Sequence, residues 1–220
     1  MTGAETGRRR GKFITFEGGD GSGKSTQIGL AASWLGAAGY DVLKTREPGG
    51  TKIGEKIRAI LLDPENADMA DMAEMLLYAA ARAQLAHEAI APALEAGQLV
   101  VCDRWADSSY VYQGAARGLG EAVFAVNAYA AGALLSPDAT ILLDLNPEEA
   151  LQRALQASAG SGHDRIEALG AGYHAKVRAA YLELAERFPK RICVIDAAGA
   201  PEAVHTRVKT ALSKVLGNEV

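Results

Sequence analysis

Five short apolar runs punctuate the chain: KFITFEG, YDVLKTRE, QLVVCDR, ATILLDL and RICVIDA. Each is bounded by charged or turn-forming residues, and enough chain separates neighbouring runs to hold at least one helix. That spacing predicts strands alternating with helices and a parallel sheet covered on both faces. The interiors LVVC and ILLDL are almost continuously apolar, as expected of strands buried on both sides. Helical patterns fill the gaps at about 24–37, 51–62, 70–96, 119–134, 147–157, 167–188 and 201–216. Pro64 stops one helix, Asn146 caps another with Pro147 at its first position, and Gly97 ends the long alanine-rich one. The exception is QASAGSGHDR, Gln156 to Arg165, which is small, glycine-rich and without apolar anchors, and so predicts a mobile loop.

The 220 residues are 49% hydrophobic and 23% charged, enough to bury one sizeable core. No internal repeat or linker divides the chain, so we expect a tail over 1–11 and one domain over 12–216. A formal charge of −4 argues against nucleic acid as a partner and confines any phosphate chemistry to a local pocket. No apolar run approaches the roughly 20 residues of a membrane span. The basic start TGRRRGK leads into a strand and not into a signal-peptide core. Cys102 and Cys193 sit inside strand-like runs and are expected as reduced thiols, which fits a cytoplasmic setting.

Chemistry enters at FEGGDGSGKSTQ. Gly18 to Ser25 satisfies G-x-x-x-x-G-K-[ST] between the run FITF and a helix starting near Lys24, the context that defines a phosphate-binding P-loop. Backbone N–H groups that must all point inward at phosphate oxygens need positive φ angles and no Cβ in the way, and the helix behind them adds its positive end. Gly18, Gly19, Asp20, Gly21, Ser22 and Gly23 form this cradle. Lys24 then bridges the β- and γ-phosphates of ATP, Ser25 offers a hydroxyl to Mg²⁺, and Thr26 meets the α-phosphate. The fold class is accordingly α/β, a three-layer P-loop NTPase type with a parallel sheet flanked by helices.

Four other stretches narrow the reaction. VVCDRW puts Asp103 and Arg104 at the carboxyl end of a buried strand, where open parallel sheets bind ligands; the carboxylate can hold a metal's water shell and the arginine an anionic substrate. TREPGGT brings Arg46 and Glu47 off a second strand, and a second arginine on that rim suits a second phosphate ester. LLYAAARAQ sets Tyr78 and Arg82 on one helical face, able to stack on a base and donate to its exocyclic oxygen, though taken alone the pair reads more readily as a core tyrosine and a surface arginine. DSSYVYQGAARG crowds Ser108, Ser109, Tyr112 and Gln113 beside the Asp-Arg pair, as either base-edge readers or an ordinary turn.

Taken in order, EGGDGSGKST, TREPGGT, an aromatic four before RAQ, DRW..SS..YQG..RG and a late DRIE resemble the bacterial thymidylate kinase (dTMP kinase) family over about residues 12–215. The resemblance implies transfer of the γ-phosphoryl group of ATP to dTMP, with Mg²⁺, on a five-stranded parallel core, as a homodimer. It implies Asp20 near the metal through water and near the acceptor's sugar, and Arg46 and Arg104 on the acceptor phosphate. Tyr78 would stack on thymine, Arg82 would bond its O4, Ser109 and Gln113 would contact the base, and Tyr112 would crowd out a ribose 2′-hydroxyl. A lid at about 156–166 would cover ATP, with Arg153 against adenine. The P-loop carries no arginine, which leaves Arg165 for the charge-stabilising catalytic role, and Glu167 for a substrate or metal-water contact. Trp105 stands where the family more often has tyrosine or histidine. The competing readings are a deoxynucleoside kinase, which leaves Arg46 without a purpose, and a nucleotide-driven switch or assembly ATPase, which has no acceptor pocket.

Overall fold

The computed structural model describes residues 10–134, 136–157, 165–166 and 169–217. Five strands, β1 (Phe13–Glu17), β2 (Val42–Arg46), β3 (Leu99–Asp103), β4 (Ala139–Asp144) and β5 (Ile192–Asp196), form one wholly parallel sheet of order β2-β3-β1-β4-β5. The helices are α1 (Lys24–Ala37), α2 (Lys52–Leu62), α3 (Asp71–Leu85), α4 (Ala91–Glu95), α5 (Ala106–Ser109), α6 (Ala122–Ala131), α7 (Pro147–Ala157), α8 (Ala171–Arg187) and α9 (Pro201–Leu216).

Strand alternation sorts the core. Ile14 and Phe16 turn to one face with Leu35, Val101, Ile141 and Val208, under α1 and α9. Phe13 turns to the other, with Leu85, Ile90, Val100 and Trp105. A third cluster gathers Tyr112, Leu142, Val177, Tyr181 and Leu184 beneath α8. Because β1 is the central strand and its neighbours β3 and β4 lead to opposite halves of the sheet, the loop after β1 lies at the switch point where such folds open a crevice.

The helix expected over 70–96 is interrupted. A π-helical turn, Ala86–Ile90, separates α3 from α4. Pro92 accounts for it, since its ring and missing N–H cannot continue a tight α ladder with the preceding turn. A second π-helical stretch, Tyr110–Ala116, follows α5. The expected helix over 119–134 shortens to α6 and a 3₁₀ turn, and that over 167–188 begins only after Gly170. Caps match expectation: the Asn146 Oδ1 accepts from the Glu148 N–H at 2.9 Å, and Gly97 takes φ 80°. Gly11, assigned to the tail, is held by its N–H on the Leu94 carbonyl at 2.9 Å. Cys102 is buried, Cys193 half-buried, and both are free thiols. Most of the expected lid, with His163, Asp164 and Glu167, lies outside the described residues.

Candidate active site

Three adjacent strand ends build the site. Phe16 of β1 lies in register with Asp103 of β3, and Arg46 of β2 with Asp103 on the other side. The chain then turns through the glycine loop, where Gly21 takes φ 76° and a Cβ on it would lie 2.0 Å from the Ala150 carbonyl oxygen of α7. No side chain fits there. Lys24 folds back over the loop, its Nζ donating to the carbonyls of Gly18 at 3.0 Å and Gly19 at 2.8 Å. Burial first, and then the Arg104 charge, lowers its pKa to about 8. Ser25 and Thr26 are exposed at the start of α1.

Asp103 accepts from the Ser25 hydroxyl at 3.4 Å through Oδ2, while its buried Oδ1 has no protein partner. A serine hydroxyl and a carboxylate with a spare oxygen suit a hard divalent cation that keeps most of its own waters. Among the described residues no group of three His, Cys, Asp or Glu side chains could cage a metal by itself.

Arg104 is the only described non-glycine residue with positive φ, at 68°. Its Nη2 donates to Asp20 Oδ1 at 2.6 Å, and its Nη1 faces Tyr181 Oη at 3.2 Å and Ser108 Oγ at 3.3 Å. Burial opposes the Asp20 charge, but Arg104 and Lys24 outweigh it and hold the carboxyl below its ordinary range. Beneath Arg104 lies Glu17, the last residue of β1 and completely buried. Its Oε1 accepts from the Trp105 N–H at 2.8 Å; its Oε2 accepts from the Ser108 and Tyr181 hydroxyls, each at 2.7 Å. Burial, and secondarily Asp107, raises its pKa to about 7.

Two clefts meet at Asp20. One, of about 200 Å³, runs beside the phosphate loop between the end of β4, α7 and α8, with Leu143, Leu145, His174, Arg178 and Tyr181 among its walls. The other, of about 90 Å³, is lined by Asp20, Glu47, Arg58, Tyr78, Arg104, Ser108, Ser109, Tyr112, Gln113 and others. Most of the residues expected around the acceptor therefore share one cleft.

Three arginines are placed differently from expectation. Arg46 points to the rim, where its Nη2 meets both oxygens of Glu55 at 3.0 and 2.9 Å, and it lines neither cleft. Arg82 is 0% exposed; it bonds Glu47 Oε2 at 2.7 Å, Ser109 Oγ at 2.8 Å and Asn127, so it lies behind the cleft wall and not in it. Arg165 sits against α2 and α3, its Nε on the Leu61 carbonyl at 2.8 Å and its Nη2 2.6 Å from Glu74, away from the phosphate loop. Arg153 turns toward the loop after β5, donating to Ala197 O at 3.2 Å. Sequence reasoning missed Arg58, Glu17 and Glu74. Arg58 has the one readable signal, a cation one helical stretch after the Pro-Gly-Gly turn, whose Nη1 reaches Pro48 O at 3.0 Å.

A P-loop on a five-stranded parallel sheet, opening at its tip onto a second pocket with arginines at one end, defines a P-loop NTPase fold equipped to move a phosphoryl group between two anions. Comparison narrows the class. The family model for thymidylate kinase matches residues 16–208, and the chain belongs to the thymidylate kinase family. It is 51% identical to the thymidylate kinase of Caldanaerobacter subterraneus subsp. tengcongensis over 94% of this chain and 97% of that one. It is 49% identical to that of Thermoanaerobacter sp. strain X514, over 94% and 100%. The crystal structure of thymidylate kinase from Ehrlichia chaffeensis superposes with a TM-score of 0.74 at 29% identity, covering 93% and 99%.

Proposed function

We propose that residues 12–216 act as one nucleoside monophosphate kinase domain in which ATP and dTMP meet at Asp20. Family membership carries the reaction itself: the γ-phosphoryl group of ATP passes to dTMP, giving dTDP and ADP. The observation that carries the site assignment is the Asp20–Arg104 ion pair, at the junction of the phosphate-loop cleft and the arginine-ended cleft.

Amides of 18–23 and Lys24 hold the donor's phosphates, Thr26 the α-phosphate, and Arg153 flanks the adenine. Arg104 and Arg58 grip the acceptor phosphate, an assignment that moves the second clamp from Arg46 to Arg58. Tyr78 stacks on thymine, and Ser109 and Gln113 meet its edge. Tyr112, buried with no partner on its hydroxyl, fills the space a ribose 2′-hydroxyl would need. Arg82 supports Glu47 and Ser109 from behind. Ser25 would bind Mg²⁺ directly, with Asp103 and Asp20 through water; bound there, the ion neutralises phosphate charge. The protein's part is in-line placement and charge dispersal, since an ionised phosphate oxygen needs no strong base.

We also propose a homodimer formed through α2, α3 and α6, whose outer faces carry the exposed Ile53, Ile60, Met72, Leu76 and Tyr129, the last at 94%. Sedimentation at micromolar concentration tests it. No described helix is long and apolar enough to cross a membrane; with both thiols free, we place the enzyme in the cytoplasm. A coupled ADP-release assay across nucleoside monophosphates tests the reaction. We expect release to depend on dTMP, whereas ADP release indifferent to dTMP would refute the reading in favour of a switch ATPase.

A further inference from the structure

Glu74, on α3, is 0% exposed and lines neither cleft. Three donors nevertheless converge on its carboxylate. The Gln113 Nε2 donates to Oε1 at 2.8 Å, the Arg117 Nη2 donates to Oε2 at 3.0 Å, and the Arg165 Nη2 lies 2.6 Å from Oε2. Burial opposes the charge, but the Gln113 and Arg165 contacts and the Arg117 charge hold the carboxyl below its ordinary range. At neutral pH the group is an anion.

An ionised carboxylate can only accept hydrogen bonds, so it fixes which way the planar Gln113 amide faces. The NH₂ turns to Glu74, which makes the carbonyl oxygen the acceptor Gln113 offers to the cleft it lines. A base brought against that oxygen must supply a donor. Thymine and uracil have an N–H at ring position 3; cytosine has a lone pair there and would face oxygen with lone pair against lone pair. We propose that Glu74 is a specificity-setting positioning residue, which makes the cleft demand a base with an N3–H by holding the Gln113 amide in one orientation. This rests on the cleft being the site of the acceptor base. Glu74 touches no substrate; it acts through Gln113, while Arg117 and Arg165 keep it ionised.

The alternative is that Glu74 merely ties the π-helical stretch Tyr110–Ala116 to α3. The two roles separate in Glu74→Gln. A neutral amide at 74 can donate as well as accept, so Gln113 gains access to both orientations. The assay measures kcat/KM for dTMP and dUMP, with dCMP read as a competitive inhibitor so that a poor substrate still yields a constant. We expect preference for dTMP over dCMP to fall about tenfold or more, the scale of one misdirected hydrogen bond. Preference for dTMP over dUMP should stay within about twofold, because both bases carry the N3–H. Equal weakening of all three nucleotides would assign Glu74 to structural support and overturn the proposal.

Glu74→Gln leaves the buried Arg165 guanidinium without an anion, although Arg117 keeps Asp71 at 3.4 Å, and can fail to fold. Gln113→Ala then serves, since it removes the carbonyl oxygen and keeps Glu74 paired with both arginines. It should show the same selective loss; an unchanged dTMP-to-dCMP preference overturns the proposal. If Gln113→Ala leaves the KM of both dTMP and dUMP untouched while ADP release still requires dTMP, the base does not bind in this cleft, and the proposal falls with that placement and not with the reaction.

Discussion

Replacing Glu17 by glutamine keeps the shape of the side chain and removes its charge, and the consequence can be sized. Burial first, and Asp107 second, raise the carboxyl from 4.5 to about 7. Between those values the folded chain binds more protons than the unfolded one, so the slope of stability against pH is negative. Stability is undiminished below pH 4.5 and falls as pH rises through 7. At about 1.4 kcal/mol per pH unit, the distance from 4.5 to about 7 amounts to about 3 kcal/mol, a large part of the roughly 5–15 kcal/mol that holds a typical domain together. Urea denaturation at pH 5 and pH 8, followed by fluorescence of tryptophan, suits the purpose; Trp105 is buried edge-on to Phe13 with ring centroids 5.3 Å apart. Glu17→Gln should come within about 1 kcal/mol of the parent at pH 5 and exceed it by up to about 3 kcal/mol at pH 8, with other titrating groups cancelling in the comparison. The same variant should bind dTMP less well, because Ser108 and Tyr181, which Glu17 holds, face Arg104. An equal loss of stability between pH 5 and pH 8 in both proteins would refute the reasoning.

Gly21→Ala should cost about 2 kcal/mol or more in urea denaturation, because its Cβ meets the Ala150 carbonyl at a positive φ; a neutral result would mean that α7 moves freely. Arg58→Ala should raise the KM for dTMP about tenfold or more, while Arg46→Ala, whose side chain is paired with Glu55 at the rim, should do less. The reverse order would return the phosphate clamp to Arg46. Arg165→Ala should raise the KM for dTMP with kcat within about tenfold, whereas a kcat loss of ~10³ to 10⁵ would identify an arginine finger.

Much of the architecture was legible because it is written in local patterns. All five strands announced themselves as apolar runs, and the glycine loop could be placed because its spacing, the strand before it and the helix after it act together. Arg82 was harder. The four-residue spacing from Tyr78 correctly puts both on one helix, but whether the guanidinium enters the cleft depends on Glu47, Ser109 and Asn127, which arrive from other parts of the chain. Glu17 and Glu74 were invisible for the same reason. Each looks like an ordinary charge at the edge of an element, and its burial is set by long-range partners such as Tyr181 and Gln113. Arg165 was assigned by elimination from a list of lid arginines, and elimination says nothing about which acid a side chain will find.

The left-handed backbone at Arg104 bears on how this enzyme can be improved. A glycine would occupy φ 68° without the roughly 1–2 kcal/mol of steric cost that a side chain incurs there. Against that saving stand the Asp20 ion pair at 2.6 Å and the contacts to Tyr181 and Ser108 that only the guanidinium makes, and stranding the Asp20 carboxylate costs at least as much. An arginine at this left-handed position is thus kept by its side chain against the preference of its backbone, and a stability screen that relaxes the turn with glycine has to be read together with turnover.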